Sequence, residues 1–286
     1  MVFNIPVTPL VWVLGGMSLL VFIKDILRPP ARVEAYLKHL WVYFLVFTVA
    51  ELFTFAIAVW ILAAVCFVAL REYLSLVDIR FQDRWGLWGA YLAIPFMAYF
   101  IQVNWYDMFI ISIPIYTFLI IPFLVALGGK ETEGTVFSVG AIDFGLFLFV
   151  YCTGHIGYLM LFSTWVAVLL VLNVTVSDGV AFLLSSSGKR PWTGNVIKYL
   201  ISIPITVVLS VSLIDWTGIP WHHSIIIGAA IPILVAVGRY TMTFIEADLG
   251  IAKDYDHLRR GRLINSSCSL LFAAPIIFHY MRYFLT

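Results

Sequence analysis

Between Leu40 and Leu70 the chain carries a single charged side chain, Glu51. A membrane-crossing helix needs roughly 20 mostly apolar residues, so this run is too long for one ordinary crossing and short for two. The charges on either side decide the matter. Residues 28–39 hold Arg28, Arg32 and Lys38, and residues 71–84 hold Arg71, Arg80 and Arg84. Basic flanks favour the cytoplasmic face, so both ends belong on one side and the run is a hairpin turning near Glu51. A sequence that is 62% hydrophobic and 12% charged fits a polytopic membrane protein and not a water-soluble domain.

The same reading extends along the chain. Apolar segments fall at about 8–27, then 87–103 and 106–127 (turning at Asn104–Asp107), 137–152 and 156–176 (turning at Gly154-His155), 196–213, 222–245 and 267–284. With the hairpin this predicts an all-α polytopic membrane protein of about ten transmembrane helices, its N-terminus outside. Loops 28–39, 71–84, 178–195 and 246–264 then all fall in the cytoplasm, the arrangement expected of a bacterial inner-membrane protein. Cys66, Cys152 and Cys268 lie far apart in or beside apolar runs and read as small hydrophobes. No Lys or Arg precedes the first apolar run and no small-residue cleavage site follows it, so no cleaved signal peptide is expected. A net charge of +1 points to no nucleic-acid partner.

Charge inside a bilayer is costly and is a functional hypothesis by default. Glu51 sits at the hairpin turn and reads as interfacial. Asp143 lies inside a span and is expected to be paired or to line a cavity. His155 and the pair His222-His223 fall at predicted outer ends, where interfacial placement outweighs a metal site.

Polar chemistry concentrates late in the sequence. Between Arg239 and Arg262 lie five basic residues (Arg239, Lys253, Arg259, Arg260, Arg262) and four acidic ones (Glu246, Asp248, Asp254, Asp256). Upstream, Asp178 closes a span, followed by Lys189 and Arg190. Carboxylates and basic groups at several span ends on one membrane face are what phosphoryl chemistry needs: carboxylates hold a divalent metal, and Lys and Arg neutralise phosphate oxygens. The plainer alternative is positive-inside charge touching anionic lipid.

Several stretches resemble one known family, the integral-membrane phosphatidate cytidylyltransferases (CDP-diacylglycerol synthases). Ala247-Asp248-Leu249-Gly250-Ile251-Ala252-Lys253-Asp254 is similar to the family's K-R-D-x-G-[IV]-K-D, and Ser269-Leu270-Leu271-Phe272-Ala273-Ala274-Pro275 matches its closing S-L-L-F-A-A-P. Ser177-Asp178-Gly179-Val180-Ala181-Phe182 resembles N-D-x-x-A-Y, and Lys189-Arg190-Pro191-Trp192-Thr193-Gly194 resembles S-P-K-K-T-W-E-G. Leu70-Arg71-Glu72-Tyr73-Leu74-Ser75-Leu76 resembles its [WF]-E-[FY]-x-x-L. The pieces keep the family's order over residues 40–286, after an N-terminal span and connector at 1–39, with the motif-bearing part at 177–286. The resemblance implies attack of a phosphatidate oxygen on the α-phosphorus of CTP, with Mg²⁺ held by carboxylates. By it, Asp178, Asp248 and Asp254 hold metal, Lys253 joins them in catalysis, and Lys189, Arg190, Trp192 and Gly194 bind substrate. Independently of the family pattern, Arg239, Arg259, Arg260 and Arg262 could bind phosphate groups without metal, and the protein could pair as a homodimer.

The departures fall on the charged groups. Where the family has Asp and then Glu-Ser on the helix after Gly238, this chain has Arg239, Met242 and Thr243. Glu246 and Ala247 replace Lys and Arg, and Ala252 is inserted. Asn265, Ser266 and Cys268 stand where Asp-Arg-x-Asp is expected, and Arg259-Arg260-Gly261-Arg262 is all that remains of G-H-G-G. Reversing a charge a few ångströms from a cation changes Coulomb energies by several kcal/mol even at an effective dielectric of about 20. Two expectations follow: a cytidylyltransferase with re-sited metal ligands, or a catalytically degenerate homologue that binds lipid and serves another membrane protein. Arg239 and Glu246, seven residues apart on one helical face, could pair with each other.

Overall fold

In the computed structural model, residues 11–16, 18–19, 31–128, 132–184, 197–248 and 262–285 are described, without the side chains at 31–41, 182, 246 and 262–268. Every regular element among them is helical. A helical stretch at 11–16 and 18–19 comes first. The main helices follow as α1 Ala31–Leu52, α2 Phe55–Leu74 and α3 Arg84–Gln102. Next come α4 Tyr106–Gly128, α5 Thr135–Phe162, α6 Thr164–Leu183 and α7 Ile197–Ser212. The last two are α8 Trp221–Asp248 and α9 Arg262–Leu285. Among the described residues, five helical segments are long and apolar enough to cross a membrane: α2, α4, α5, the Thr164–Ala181 part of α6 and the Trp221–Ile245 part of α8.

The hairpin at Glu51 forms as the sequence suggests. The chain turns at Phe53–Thr54, where the Thr54 hydroxyl accepts from the Ile57 amide and caps α2. Capping satisfies one of the orphan donors at a helix start. Asn104, at φ 54°, turns α3 into α4.

The turn expected at Gly154-His155 does not occur. α5 runs through both residues, and the break falls at Ser163, in extended conformation (φ −168°, ψ 133°), with its side chain accepting from the Trp165 amide. Gly154 and Gly157 serve helix packing instead of turning the chain. A Cβ on Gly154 would stand 2.5 Å from the Phe109 ring, and one on Gly157 2.8 Å from Ile101. Small residues of this kind let apolar helices approach closely.

Two helices are widened by π-helical turns, Ser112–Thr117 in α4 and Leu146–Tyr151 in α5, and the two turns pack on one another. The first contains Pro114, which has no amide hydrogen to donate, and the Thr117 hydroxyl bonds the Ser112 carbonyl at 2.9 Å. Beside the second, the Cys66 thiol donates to the Phe149 carbonyl at 3.1 Å. Each side chain supplies a donor where the regular ladder shifts, as an apolar surrounding requires.

Contacts fix which ends lie together. Gly128 abuts the Gln82 carbonyl, and Arg80 bonds the Glu133 carbonyl and the Thr135 hydroxyl. Tyr73 reaches the Ala141 carbonyl at 3.1 Å. At the opposite end Trp60 donates to Gln102, Trp165 packs on Trp216, and Arg282 pairs with Asp107. Large apolar side chains face outward along the bundle, among them Trp88, Phe123 and Val208. In water such a surface invites association; hydrocarbon solvates it.

Candidate functional site: a closed carboxylate between four helices

Asp178 lies five residues before the end of α6, on a helix whose core face is apolar from Val166 to Val171. It is 7% exposed. The adjacent Ser177 hydroxyl bonds the Asn173 carbonyl one turn back in the same helix. Three other helices supply donors to the carboxylate. Arg239 of α8 donates from Nε to Oδ1 and from Nη2 to Oδ2, each at 3.1 Å. The Tyr199 hydroxyl, near the start of α7, donates to Oδ1 at 3.1 Å, and Ser269 Oγ of α9 stands 3.4 Å from the same oxygen. A two-pronged guanidinium–carboxylate pair is among the strongest charge-assisted arrangements because both hydrogen bonds are geometrically matched.

The sequence left open a pairing of Arg239 with Glu246. Arg239 meets Asp178, 61 positions away; the Glu246 side chain lies outside the described residues. The reason is placement: α6 and α8 pack directly, and a carboxylate this buried needs a compensating cation.

This donor set does not fit Mg²⁺ at Asp178. Both carboxylate oxygens already accept hydrogen bonds from a cation and two hydroxyls, while Mg²⁺ demands oxygen ligands in near-octahedral geometry. Among the described residues no three His, Cys, Asp or Glu side chains gather as a metal site. Asp248 lies nine residues beyond Arg239 on α8, about 13 Å along the helix axis. It is exposed and lines a groove against α2 and α5. Asp254, Lys253, Lys189, Arg190, Trp192, Gly194, Arg259 and Arg260 lie outside the described residues, as does the side chain of Arg262, which opens α9. Tyr199 and Ser269 were absent from the sequence-derived site. Ser269 opens the S-L-L-F-A-A-P match, a usable signal; Tyr199 stands in no recognisable pattern.

A second polar cluster lies at the opposite end. His155, expected at an outer helix end, is fully buried in α5 because the helix continues past it. Its Nδ1 lies 2.9 Å from the Tyr151 carbonyl and its Nε2 3.3 Å from the Tyr106 hydroxyl. A carbonyl can only accept, so Nδ1 carries the hydrogen and Nε2 accepts from Tyr106. The Tyr106 oxygen in turn lies 3.3 Å from His279 Nε2. Arg282 stacks 4.0 Å over the Tyr106 ring. Tyr106→Phe would leave His155 Nε2 buried without its donor; the expected loss is about 1–3 kcal/mol of unfolding free energy, read by thermal unfolding in detergent. Asp143, expected to be paired or to line a cavity, finds no hydrogen-bond partner for either carboxyl oxygen among the described residues, nor does the Ser138 hydroxyl.

Among the described residues, fold and site together define an all-α protein with five helices long and apolar enough to cross a membrane and a buried carboxylate clamped by arginine. Over 238 residues, 77% of this chain and 78% of the relative, it is 29% identical to an uncharacterized protein YnbB of Escherichia coli (strain K12). No family model and no solved structure matches the chain.

Proposed function

We propose that the chain is a catalytically silent relative of the integral-membrane phosphatidate cytidylyltransferases. On this reading it is a multi-pass protein of about ten spans, with the Asp178 end in the cytoplasm. It binds membrane lipid and acts as a partner or regulator of another membrane protein. The observation that carries the reading is the Arg239–Asp178 clamp: the resemblance assigns Asp178 to a metal, and here a guanidinium of this chain takes its negative charge. The ordered family-like stretches across residues 40–286 support the ancestry, and the five apolar helices support the membrane setting.

The test is a turnover assay on the purified protein in lipid, supplied with radiolabelled CTP, phosphatidate and Mg²⁺. The expected result is no CDP-diacylglycerol above background, unchanged in Asp178→Asn. CDP-diacylglycerol made by the wild type and lost in Asp178→Asn would overturn the proposal and restore the enzymatic reading.

A further inference from the structure

A groove of about 490 Å³ opens between the end of α2, the first turns of α5 and the last turns of α8. Its walls are apolar: Val77, Val136, Phe137, Phe144, Phe244 and Ile245. The floor is Gly140, where an added Cβ would meet nothing within 4 Å. Tyr73 braces one side, its hydroxyl spent on the Ala141 carbonyl. Among the described residues, the charged one in the lining is Asp248. It is exposed and makes no hydrogen bond or ion pair with a described residue.

The position of Asp248 relative to the groove is the informative fact. In the sequence the apolar run of α8 gives way to Glu246 and Asp248 just after Ile245. Asp248 follows by three residues, about 4.5 Å along the axis. Phe244 and Ile245 therefore face the hydrocarbon edge, and the carboxylate stands just above it. On the other wall, Val136 and Phe137 open α5 at the same level, and Val136 is 87% exposed. A trough with greasy walls and the Asp248 carboxylate at its watery lip matches an amphiphile with an acyl chain and a cationic head. Its volume is within the range of sites that hold small molecules. An anionic headgroup at this lip would meet Asp248 as a like charge.

We propose that this groove binds a bilayer phospholipid whose headgroup carries an ammonium, with the acyl chain along Val136, Phe137 and Phe244 and the ammonium on Asp248. The site is separate from Asp178. The inference rests on the membrane-lipid part of the reading above and not on catalytic silence.

The experiment is native mass spectrometry of the full chain, purified from equimolar phosphatidylethanolamine, phosphatidylglycerol and phosphatidate. The wild type is expected to retain phosphatidylethanolamine preferentially. Asp248→Asn is expected to lower that retention about two- to five-fold, the size of a partly solvated ion pair. Gly140→Leu adds a side chain where a Cβ meets nothing within 4 Å and is expected to reduce retention of all three lipids while the protein still folds. Enrichment of phosphatidate or phosphatidylglycerol, no effect of Asp248→Asn, or a lipid-free dimer that hides the groove would each overturn the assignment. Retention of phosphatidylethanolamine alongside CDP-diacylglycerol synthesis would uphold this site and refute the silent reading.

Discussion

Arg239→Ala is expected to cost about 3–5 kcal/mol of stability, because it leaves the Asp178 carboxylate buried without its cation. Asp178 is 7% exposed, and the Tyr199 and Ser269 hydroxyls stand beside its carboxylate once the guanidinium is gone. Two hydroxyls solvate a negative charge poorly in an apolar interior. The double variant Asp178→Asn, Arg239→Met removes both charges and keeps similar volumes, so it is expected to recover most of the loss. Thermal unfolding in detergent, followed by tryptophan fluorescence, measures all three proteins. Mg²⁺ is expected to leave each midpoint unchanged. A cost for Arg239→Ala below about 1 kcal/mol, the level of solvated ion pairs, would show that the clamp is open to water, and the case against a metal at Asp178 would fall with it.

Gly228→Leu is the second large effect. Gly228 sits where α8 crosses α7, and a Cβ there would lie 2.8 Å from the Thr206 carbonyl oxygen and the Val207 Cα. These are backbone atoms of a helix and cannot swing aside as a side-chain tip does. The helices must separate, which also breaks the 2.8 Å bond from the Thr206 hydroxyl to the Gly228 carbonyl. Overpacking of this kind costs about 1–3 kcal/mol, and stranding the buried carbonyl adds about 1–3 kcal/mol more. The same unfolding measurement reads it. Gly140→Leu is the natural control, since it adds the same side chain where nothing stands nearby.

The helical segments were largely legible because apolar length and flanking charge are one-dimensional signals. The hairpin at Glu51 is the clearest case. The break in residues 135–183 was misread for an equally physical reason. A glycine that admits a neighbouring ring and a glycine that turns a chain look alike in sequence, and Gly154 is of the first kind while Ser163 makes the turn. At the candidate site, Asp178 and Arg239 were each recognisable as charges where apolar residues prevail. Their pairing was not, because it joins two helices whose adjacency no periodicity reveals. Tyr199 completes the clamp from a third helix and carries no sequence signature at all.

The chain of hydrogen bonds from His279 through Tyr106 to His155 ends on the Tyr151 carbonyl. An amide oxygen accepts a hydrogen bond but is far too weakly basic to take the proton. The relay is therefore a cul-de-sac: its hydrogens have a direction but nowhere to be delivered. What resembles a proton conduit is, at this end of the bundle, a polar rivet. It fastens α4, α5 and α9 together in a region where lipid-facing surfaces alone provide no force to hold helices in register.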